Sequence, residues 1–247
     1  MNNNLKAPKC YAAMASDEIR LNKSSSGGIF TLIANEVLKN NGIVVGASFD
    51  EGETVNHIIV DNYKDLEKLK GSKYVQSNIN DIYKKIKQYL DKNIKVLFTG
   101  TPCQIAGLKS YLSKEYENLM TIDIVCHGVP SPMVFRKYLK EKFGNSTQIV
   151  DINFRDKING WSSSDLIITF QAHDFTVSEK DKENEYITAF LKNYILRKSC
   201  FNCPFQKLPR QGDITIGDFW KIQKYDENLD DKKGTSVVLV NNKKGQE

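Results

Sequence analysis

The clearest hydrophobic pattern in the first part of the chain has the period of an α-helix. Apolar residues recur at helical spacing over residues 29–38, and Gly42 follows as a stop signal. Two β-rich runs come next, at 43–49 and 55–60, and the turn-like sequence between them predicts a hairpin or two neighbouring strands. Two further helices are predicted over 64–70 and 81–90, whereas the first ~20 residues show no clear period.

From residue 95 onwards the pattern changes to alternating strands and helices. VLFTG and LMTIDIVC have the character of short buried strands, and TPCQIAGLKSYL and SPMVFRKYLKEKFG have that of helices. This alternation predicts parallel strands joined by crossover helices. The remaining predictions are strands over 149–155, 165–170, 213–217 and 236–240 and a helix over 185–197. The expected fold class is α/β with α+β elements at the N-terminus: a mixed, partly parallel sheet with flanking helices and a Cys-rich C-terminal loop region.

Composition and charge exclude several classes of protein. The chain has 247 residues, of which 40% are hydrophobic and 26% charged, values typical of a folded globular protein. The formal net charge is +5, but the lysines are scattered, so we expect no nucleic-acid binding. No apolar run approaches the ~18–20 residues of a membrane span, and the N-terminus lacks the apolar core of a signal peptide. We therefore expect a cytoplasmic protein with reduced thiols.

The strongest chemical motif is CFNCP at residues 200–204. Two cysteines at this spacing can direct two thiolates to one metal centre, as in zinc and iron–sulfur sites. The alternatives are a pair of loop cysteines without a ligand and a zinc-stapled binding domain. Spacing alone does not separate zinc from an iron–sulfur cluster.

Two other cysteines are predicted to lie at one edge of the sheet. Cys103 follows the strand VLFTG at the start of a helix that Thr101 can cap, and Cys126 ends the next strand. Carboxyl ends of parallel strands meet at the same edge, which is where α/β proteins bind ligands. Cys103, Cys126, Cys200 and Cys203 are therefore candidate ligands of one metal centre, and Cys10 is left out of this set.

Two loops are candidates for binding a phosphate group. Ser25, Ser26, Gly27 and Gly28 precede the first predicted helix, and small residues let an anion approach the backbone N–H groups at a helix start. An ordinary helix cap in a polar loop is the alternative. The loop GSKY at residues 71–74 adds the cation of Lys73 and the aromatic ring of Tyr74.

Taken together, these motifs resemble the β subunit family of coenzyme F-420 hydrogenases and dehydrogenases. The resemblance runs from about Cys10 to the C-terminus. It suggests an N-terminal family domain over 10–92, with the flavin loops, and a C-terminal one over 93–247, with the cysteines. Because the chain ends where another element is expected, the second domain is predicted to be incomplete. The motifs that carry the resemblance occur in the order SSSGGIF, GSKYVQS, LFTGTPCQIAGLK, CHGVPSP, CxxCPF and GDITIGDFW.

The resemblance implies FAD and a [4Fe–4S] cluster. Members of the family pass electrons between such a cluster and a two-electron carrier, which is the deazaflavin F-420 in archaeal members. Carried over by motif, the cluster ligands are Cys103, Cys126, Cys200 and Cys203. The residues expected near the flavin are Ser25, Ser26, Gly27, Gly28, Lys73, Tyr74, Thr101 and Asp218. Many members begin with a further ferredoxin-like region, and this chain begins near the point where such a region would end.

The expected function is that of an oxidoreductase or electron-transfer subunit that converts between two-electron and one-electron carriers. The expected partners are a ferredoxin-like or other redox protein and a two-electron reactant. Because the family extends into bacteria and the Lys- and Asn-rich composition suits an AT-rich genome, a small organic substrate ranks above coenzyme F-420 as that reactant.

Overall fold

The computed structural model describes residues 4–50, 53–161, 166–229 and 232–247, and for residues 4–6 only the backbone. In these ranges the strands are β1 (Asn4–Ala13), β2 (Ile43–Asp50), β3 (Thr54–Val60), β4 (Val96–Gly100), β5 (Leu119–Ile124), β6 (Ile149–Asp156), β7 (Ile167–Ala172), β8 (Thr176–Lys180), β9 (Ile214–Asp218) and β10 (Ser236–Asn242). The α-helices are α1 (Glu18–Asn22), α2 (Ile29–Lys39), α3 (Tyr63–Leu66), α4 (Ile82–Asp91), α5 (Pro102–Leu112), α6 (Pro132–Phe143), α7 (Glu185–Leu191) and α8 (Lys198–Phe201).

The larger sheet has seven strands in the order β1-β10-β9-β5-β4-β2-β3. Strands β2, β4, β5 and β9 are parallel neighbours, whereas β3, β10 and β1 pair in antiparallel fashion. The carboxyl ends of β4, β5 and β9 therefore lie side by side at one edge. The predicted α/β class, with a mixed and partly parallel sheet flanked by helices, is confirmed.

Helices cover both faces of this sheet because strand side chains alternate between faces. Phe98 of β4 packs in one cluster with the apolar stripes of α4 and α5. Leu97, the preceding residue, packs in a second cluster with Ala34 and Leu38 of α2. The parallel strands are thus buried on both sides, which explains their continuous apolar sequences.

A smaller antiparallel sheet, β6-β7-β8, forms a second layer. Its buried face packs with α6 and α7 around an aromatic cluster that includes Phe135, Phe154, Phe170 and Tyr186. Val55 of β3 and Val75 belong to the same cluster, so this layer is joined to the larger sheet through side-chain packing.

The structure differs from the sequence-based expectations at a few elements. Strand β1 falls in the stretch that shows no clear period, and β8 is a strand that the sequence pattern does not predict. The helix expected over 185–197 ends at Leu191, and the strand expected to end at Cys126 ends at Ile124. The predicted strand at 165–170 begins at residue 167, and residue 165 lies outside the described residues. The two predicted domains both contribute strands to the larger sheet, and their boundary stays a prediction.

Gly27 lies where α2 approaches the β1–β10 pair. A Cβ atom at this position would lie 2.4 Å from the carbonyl oxygen of Ala13 and 2.8 Å from the backbone nitrogen of Ser236. Both neighbours are backbone atoms of paired strands, so neither can move aside alone. The Gly27 N–H donates to the Ser236 Oγ atom at 2.9 Å. The absence of a side chain at Gly27 is therefore a packing requirement of the sheet.

Gly27→Ala is expected to lower the free energy of unfolding by about 1–3 kcal/mol through overpacking. Urea denaturation followed by circular dichroism measures this change. Ser110→Ala, at an exposed position of α5, is the control and should leave stability nearly unchanged. A Gly27→Ala variant as stable as the wild type would contradict the packing assignment.

His57 of β3 is buried, and its Nε2–H donates to the carbonyl oxygen of Thr99 at 3.0 Å. Burial lowers the pKa of His57 to about 4, with the Lys73 charge acting in the same direction and the Thr99 hydrogen bond opposing it. The unfolded chain therefore binds a proton at a higher pH than the folded one does.

Because this folded-state pKa is depressed, the neutral His57 contributes stability that is present above pH ~6.5 and is lost as the pH falls towards 4. The loss is about 3 kcal/mol, at about 1.4 kcal/mol for each unit of pKa shift. Urea unfolding at a series of pH values should show a shallower acid loss for His57→Gln than for the wild type. The exposed His173→Gln variant serves as the control, and parallel curves for all three proteins would refute the assignment.

Candidate functional site

The first two candidate cysteines lie at the neighbouring carboxyl ends of β4 and β5. These strands are parallel, and their register pairs Gly100 with Asp123. Cys103 is in the first turn of α5, where the Thr101 Oγ1 atom lies 3.1 Å from its Sγ atom. Thr101 is also the N-cap residue, and its N–H donates to the Gln104 side chain at 2.9 Å. Thr101 thus lies beside the exposed thiol of Cys103.

The second pair of cysteines lies on a segment that packs against the residues following Cys126. The N–H of Arg197 donates to the carbonyl oxygen of Val129 at 3.0 Å, and Pro130 forms a bridge with Leu196. A Cβ atom added to Gly128 would lie 3.3 Å from the Cβ atom of Cys200. Glycine at this position, where φ is +143°, lets the Cys200–Cys203 loop approach the end of β5.

An Arg–Asp pair fastens the chain that leaves this loop. The guanidinium of Arg210 donates to the carbonyl oxygen of Ile124 at 2.9 Å and lies 3.4 Å from the Oδ1 atom of Asp123. The Oδ2 atom of the buried Asp123 accepts from the N–H groups of Gln211 and Gly212, each at 3.1 Å. Arg210 therefore fixes the chain that follows Cys203 beside the end of β5, two residues before Cys126.

Cys126 is partly buried and lies within electrostatic reach of the other three thiols. Burial raises the pKa of Cys126 to about 11, and Cys103, Cys200 and Cys203 act in the same direction, whereas the Gly128 N–H opposes them. Among the described residues, no three or more His, Cys, Asp or Glu side chains stand in a metal-coordinating arrangement. The four cysteines are thus neighbours at one edge of the sheet.

The loop before α2 contacts the GSKY loop. The Ser72 N–H donates to the Ser25 Oγ atom at 2.9 Å, which places the two predicted flavin loops against each other. Ser26 donates to the Thr235 carbonyl oxygen, and Gly28 is the N-cap residue of α2 with φ of 78° and no side-chain cap. Because Gly27 is enclosed by β1 and β10, its role in packing is separate from any role in binding a phosphate.

Lys73 has its ammonium donors occupied. The Nζ atom donates to the carbonyl oxygens of Lys68, Lys70 and Gly71. Burial lowers the pKa of Lys73 to about 7, and the charge of Asp151 opposes this shift. Lys73 would have to leave these carbonyl groups to balance the charge of a phosphate.

Tyr74 and Asp218, separated by most of the chain, meet at Arg155. The Nη1 atom of Arg155 donates to the Asp218 Oδ2 atom at 2.7 Å and to the Tyr74 hydroxyl at 3.2 Å. The guanidinium lies over the ring of Trp220 at 5.1 Å, and Trp220 stacks on Trp161 with ring centroids 4.4 Å apart.

These aromatic rings connect the two predicted regions. The Trp161 Nε1–H donates to the Ser25 carbonyl oxygen at 3.2 Å, which joins the tryptophan pair to the first flavin loop. On the other side, Tyr74 stacks on Phe190, and Phe190 contacts the ring of His127 next to Cys126. A continuous chain of side-chain contacts therefore joins the first predicted flavin loop to the residue next to Cys126.

Sequence reasoning missed Arg155, Trp161, Trp220 and Arg210. The sequence does offer a signal for Arg155: the arginine lies within the predicted strand over 149–155, where a charge must be exposed or paired. The tryptophan pair carries no such signal, because the two rings come from distant parts of the chain.

Comparison with known proteins identifies the family. Residues 10–84 match the family model for the N-terminal part of the coenzyme F420 hydrogenase/dehydrogenase beta subunit, and residues 94–247 match the model for its C-terminal part. A search of curated proteins gives no match. Within the described ranges, no helix has the length and apolar character that crossing a membrane requires.

A solved structure supports the same fold. The chain is similar to a chain of the F420-reducing [NiFe] hydrogenase complex from Methanosarcina barkeri, with a TM-score of 0.63 and 16% sequence identity. The similarity covers 100% of this chain and 79% of that one. Since the two family models together match more than half of the sequence, the chain belongs to the coenzyme F420 hydrogenase/dehydrogenase beta subunit family, a family of oxidoreductases.

Proposed function

We propose that this chain is a flavin- and [4Fe–4S]-dependent electron-transfer subunit that converts between a two-electron reactant and a one-electron carrier. The observation that carries the proposal is the neighbourhood of four thiols at the β4–β5 edge, which a chain of side-chain contacts joins to the Ser25 loop. When bound, FAD would exchange electrons in pairs and the cluster would exchange them singly.

The four cysteines suit an iron–sulfur cluster as a donor set. Cys103 lies in the first turn of α5 with its thiol exposed. Cys126 is protonated at neutral pH because of its raised pKa, so metal binding would have to release that proton. Zinc accepts the same four thiolates, so zinc in a non-enzymatic, zinc-stapled domain is the competing outcome.

The two loops in contact at Ser25 and Ser72 are the proposed flavin region. The N-terminus of α2 has no side-chain cap, and backbone N–H groups at such a position suit a pyrophosphate. Tyr74 and Asp218 would contribute through Arg155, which holds both of them. Thr101, beside Cys103, would lie nearer the cluster than the loop does.

The proposed partner is a ferredoxin-like or other redox protein that supplies or drains single electrons. The formal net charge of +5 favours an acidic partner through electrostatic steering. The similar Methanosarcina chain belongs to a hydrogenase complex, which agrees with a subunit role. The cytoplasm is the proposed compartment, because reduced thiols are needed for the cysteine ligands.

Replacing any one of Cys103, Cys126, Cys200 or Cys203 by Ala should lower the iron content of anaerobically purified protein and bleach its brown cluster absorption, because a four-thiolate site loses a ligand. Iron and zinc analysis with visible spectra measures the change. Cys10→Ala is the matched control, since the exposed Cys10 lies in β1. A colourless wild type with one zinc and no flavin would contradict the proposal.

Stopped-flow reduction of the bound flavin under anaerobic conditions tests the electron-transfer role. We expect a reduced ferredoxin to reduce the flavin and reduced F-420 not to do so, because a small organic substrate is ranked as the two-electron reactant. Fast reduction by F-420 would reverse that ranking. If protein with full flavin and iron content is reduced by no carrier, the electron-transfer function is wrong.

A further inference from the structure

Arg155 is a buried cation whose hydrogen-bonding capacity is only partly used. The residue is 6% exposed, and Nη1 alone serves both Asp218 and Tyr74. Within the described ranges, the Nε and Nη2 atoms of Arg155 are buried and find no hydrogen-bond partner. Buried donors of a charged group without partners cost free energy, and an arginine cannot lose its proton to relieve that cost.

The two unpartnered atoms form one edge of the planar guanidinium. Nε and Nη2 carry parallel N–H groups at a spacing that matches the two oxygens of a carboxylate. Lysine cannot reproduce this arrangement, because its ammonium is a point charge. The unpartnered edge therefore favours a planar acceptor with two oxygens.

The rings beside Arg155 are held in place. Trp220 lies under the guanidinium, and Trp161 stacks on Trp220 with an angle of 13° between the rings. The hydrogen bond from Trp161 to the Ser25 carbonyl fixes that stack against the proposed flavin loop. A planar ligand on the unpartnered edge would thus lie next to the stacked rings of Trp220 and Trp161.

The charges around Arg155 favour an anion. Lys157, two residues along from Arg155, donates to the carbonyl oxygens of Ser26 and Leu21, so a second positive charge lies at the Ser25–Gly28 loop. Asp218 is the carboxylate paired with Arg155, and Asp156 instead accepts from Thr169. Lys157 therefore adds a cation beside the Ser25–Gly28 loop, where backbone carbonyl groups hold its ammonium.

The unpartnered edge of Arg155 also lies close to the proposed cluster ligands. Strands β5 and β9 are parallel, and their register pairs Ile124 with Ile216. Two residues further on, these strands lead to Cys126 and Asp218. The partner of Arg155 therefore lies at the same edge as the cysteines, one strand away.

We infer that the Nε–Nη2 edge of Arg155 binds a carboxylate group of the two-electron reactant. The inference rests on the proposed oxidoreductase function and names the chemical class of its small organic substrate. Arg155 would orient this carboxylate beside the tryptophan pair, between the Ser25 loop and the cysteine edge.

Benzoate is the probe, and its neutral isostere benzamide is the comparison. Trp161 and Trp220 are the two tryptophans of the chain, so tryptophan emission reports directly on this site. Isothermal titration calorimetry of the anaerobically purified full chain gives the affinities. We expect benzoate to change the emission and to bind at least about tenfold more tightly than benzamide, because the paired N–H edge prefers an anion.

Arg155→Lys keeps the charge and removes the paired edge, so it should weaken benzoate binding about tenfold or more. Arg20→Lys, at a partly exposed arginine paired with Asp17, is the matched control and should bind as the wild type does. If Arg155→Lys does not fold, the benzoate–benzamide comparison in the wild type decides alone.

Equal binding of benzoate and benzamide, or no binding of either, would overturn the inference. So would riboflavin binding that depends on Arg155 without benzoate binding, since the edge would then belong to the flavin. The proposed function fails separately, through the flavin and iron content of the same preparation.

Discussion

The parallel pairing of β4, β5 and β9 is the constraint on which the candidate site depends. It brings the ends of three separate strands to one edge, so that Cys103, Cys126 and Asp218 all lie at that edge although the strands are separated in sequence. The buried Asp123 then ties Arg210 and the backbone after Cys203 to the end of β5. The buried Asp123 carboxylate and the parallel register of the sheet together hold the Cys200–Cys203 loop in position.

Much of the fold follows from local patterns in the sequence. Helices α2, α4, α5 and α6 have clear apolar periods or capping residues, and the short strands β4 and β5 are mainly apolar segments between them. Strand β1 has no such pattern, because NLKAPKCYAA mixes polar and small residues on an edge strand whose partner, β10, is far away along the chain. Helix α7 stops early because Asn193, in the turn after Leu191, adopts a positive φ.

The candidate site was also only partly predictable, because some of its contacts join residues that are far apart in sequence. The cysteines and the Ser25–Gly28 loop belong to contiguous motifs, whereas Arg155 acquires its meaning from contacts with Tyr74, 81 residues away, and Asp218, 63 residues away. For Lys73 the sequence predicts a role that the structure does not display. The GSKY motif predicts a cation available to a ligand, whereas the ammonium donates to backbone carbonyl groups of its own loop.

The position of β10 between β1 and β9 has a consequence for how the chain folds. Gly27 donates to Ser236 across 209 residues of sequence, so the enclosure of the Ser25–Gly28 loop depends on a strand that is synthesised long after it. Contacts of such long range are slow to form because loop closure must precede them. During synthesis, therefore, β1 has no pairing partner and the loop before α2 is not enclosed until β10 has been made. The proposed flavin region is completed only when that late strand pairs with β1.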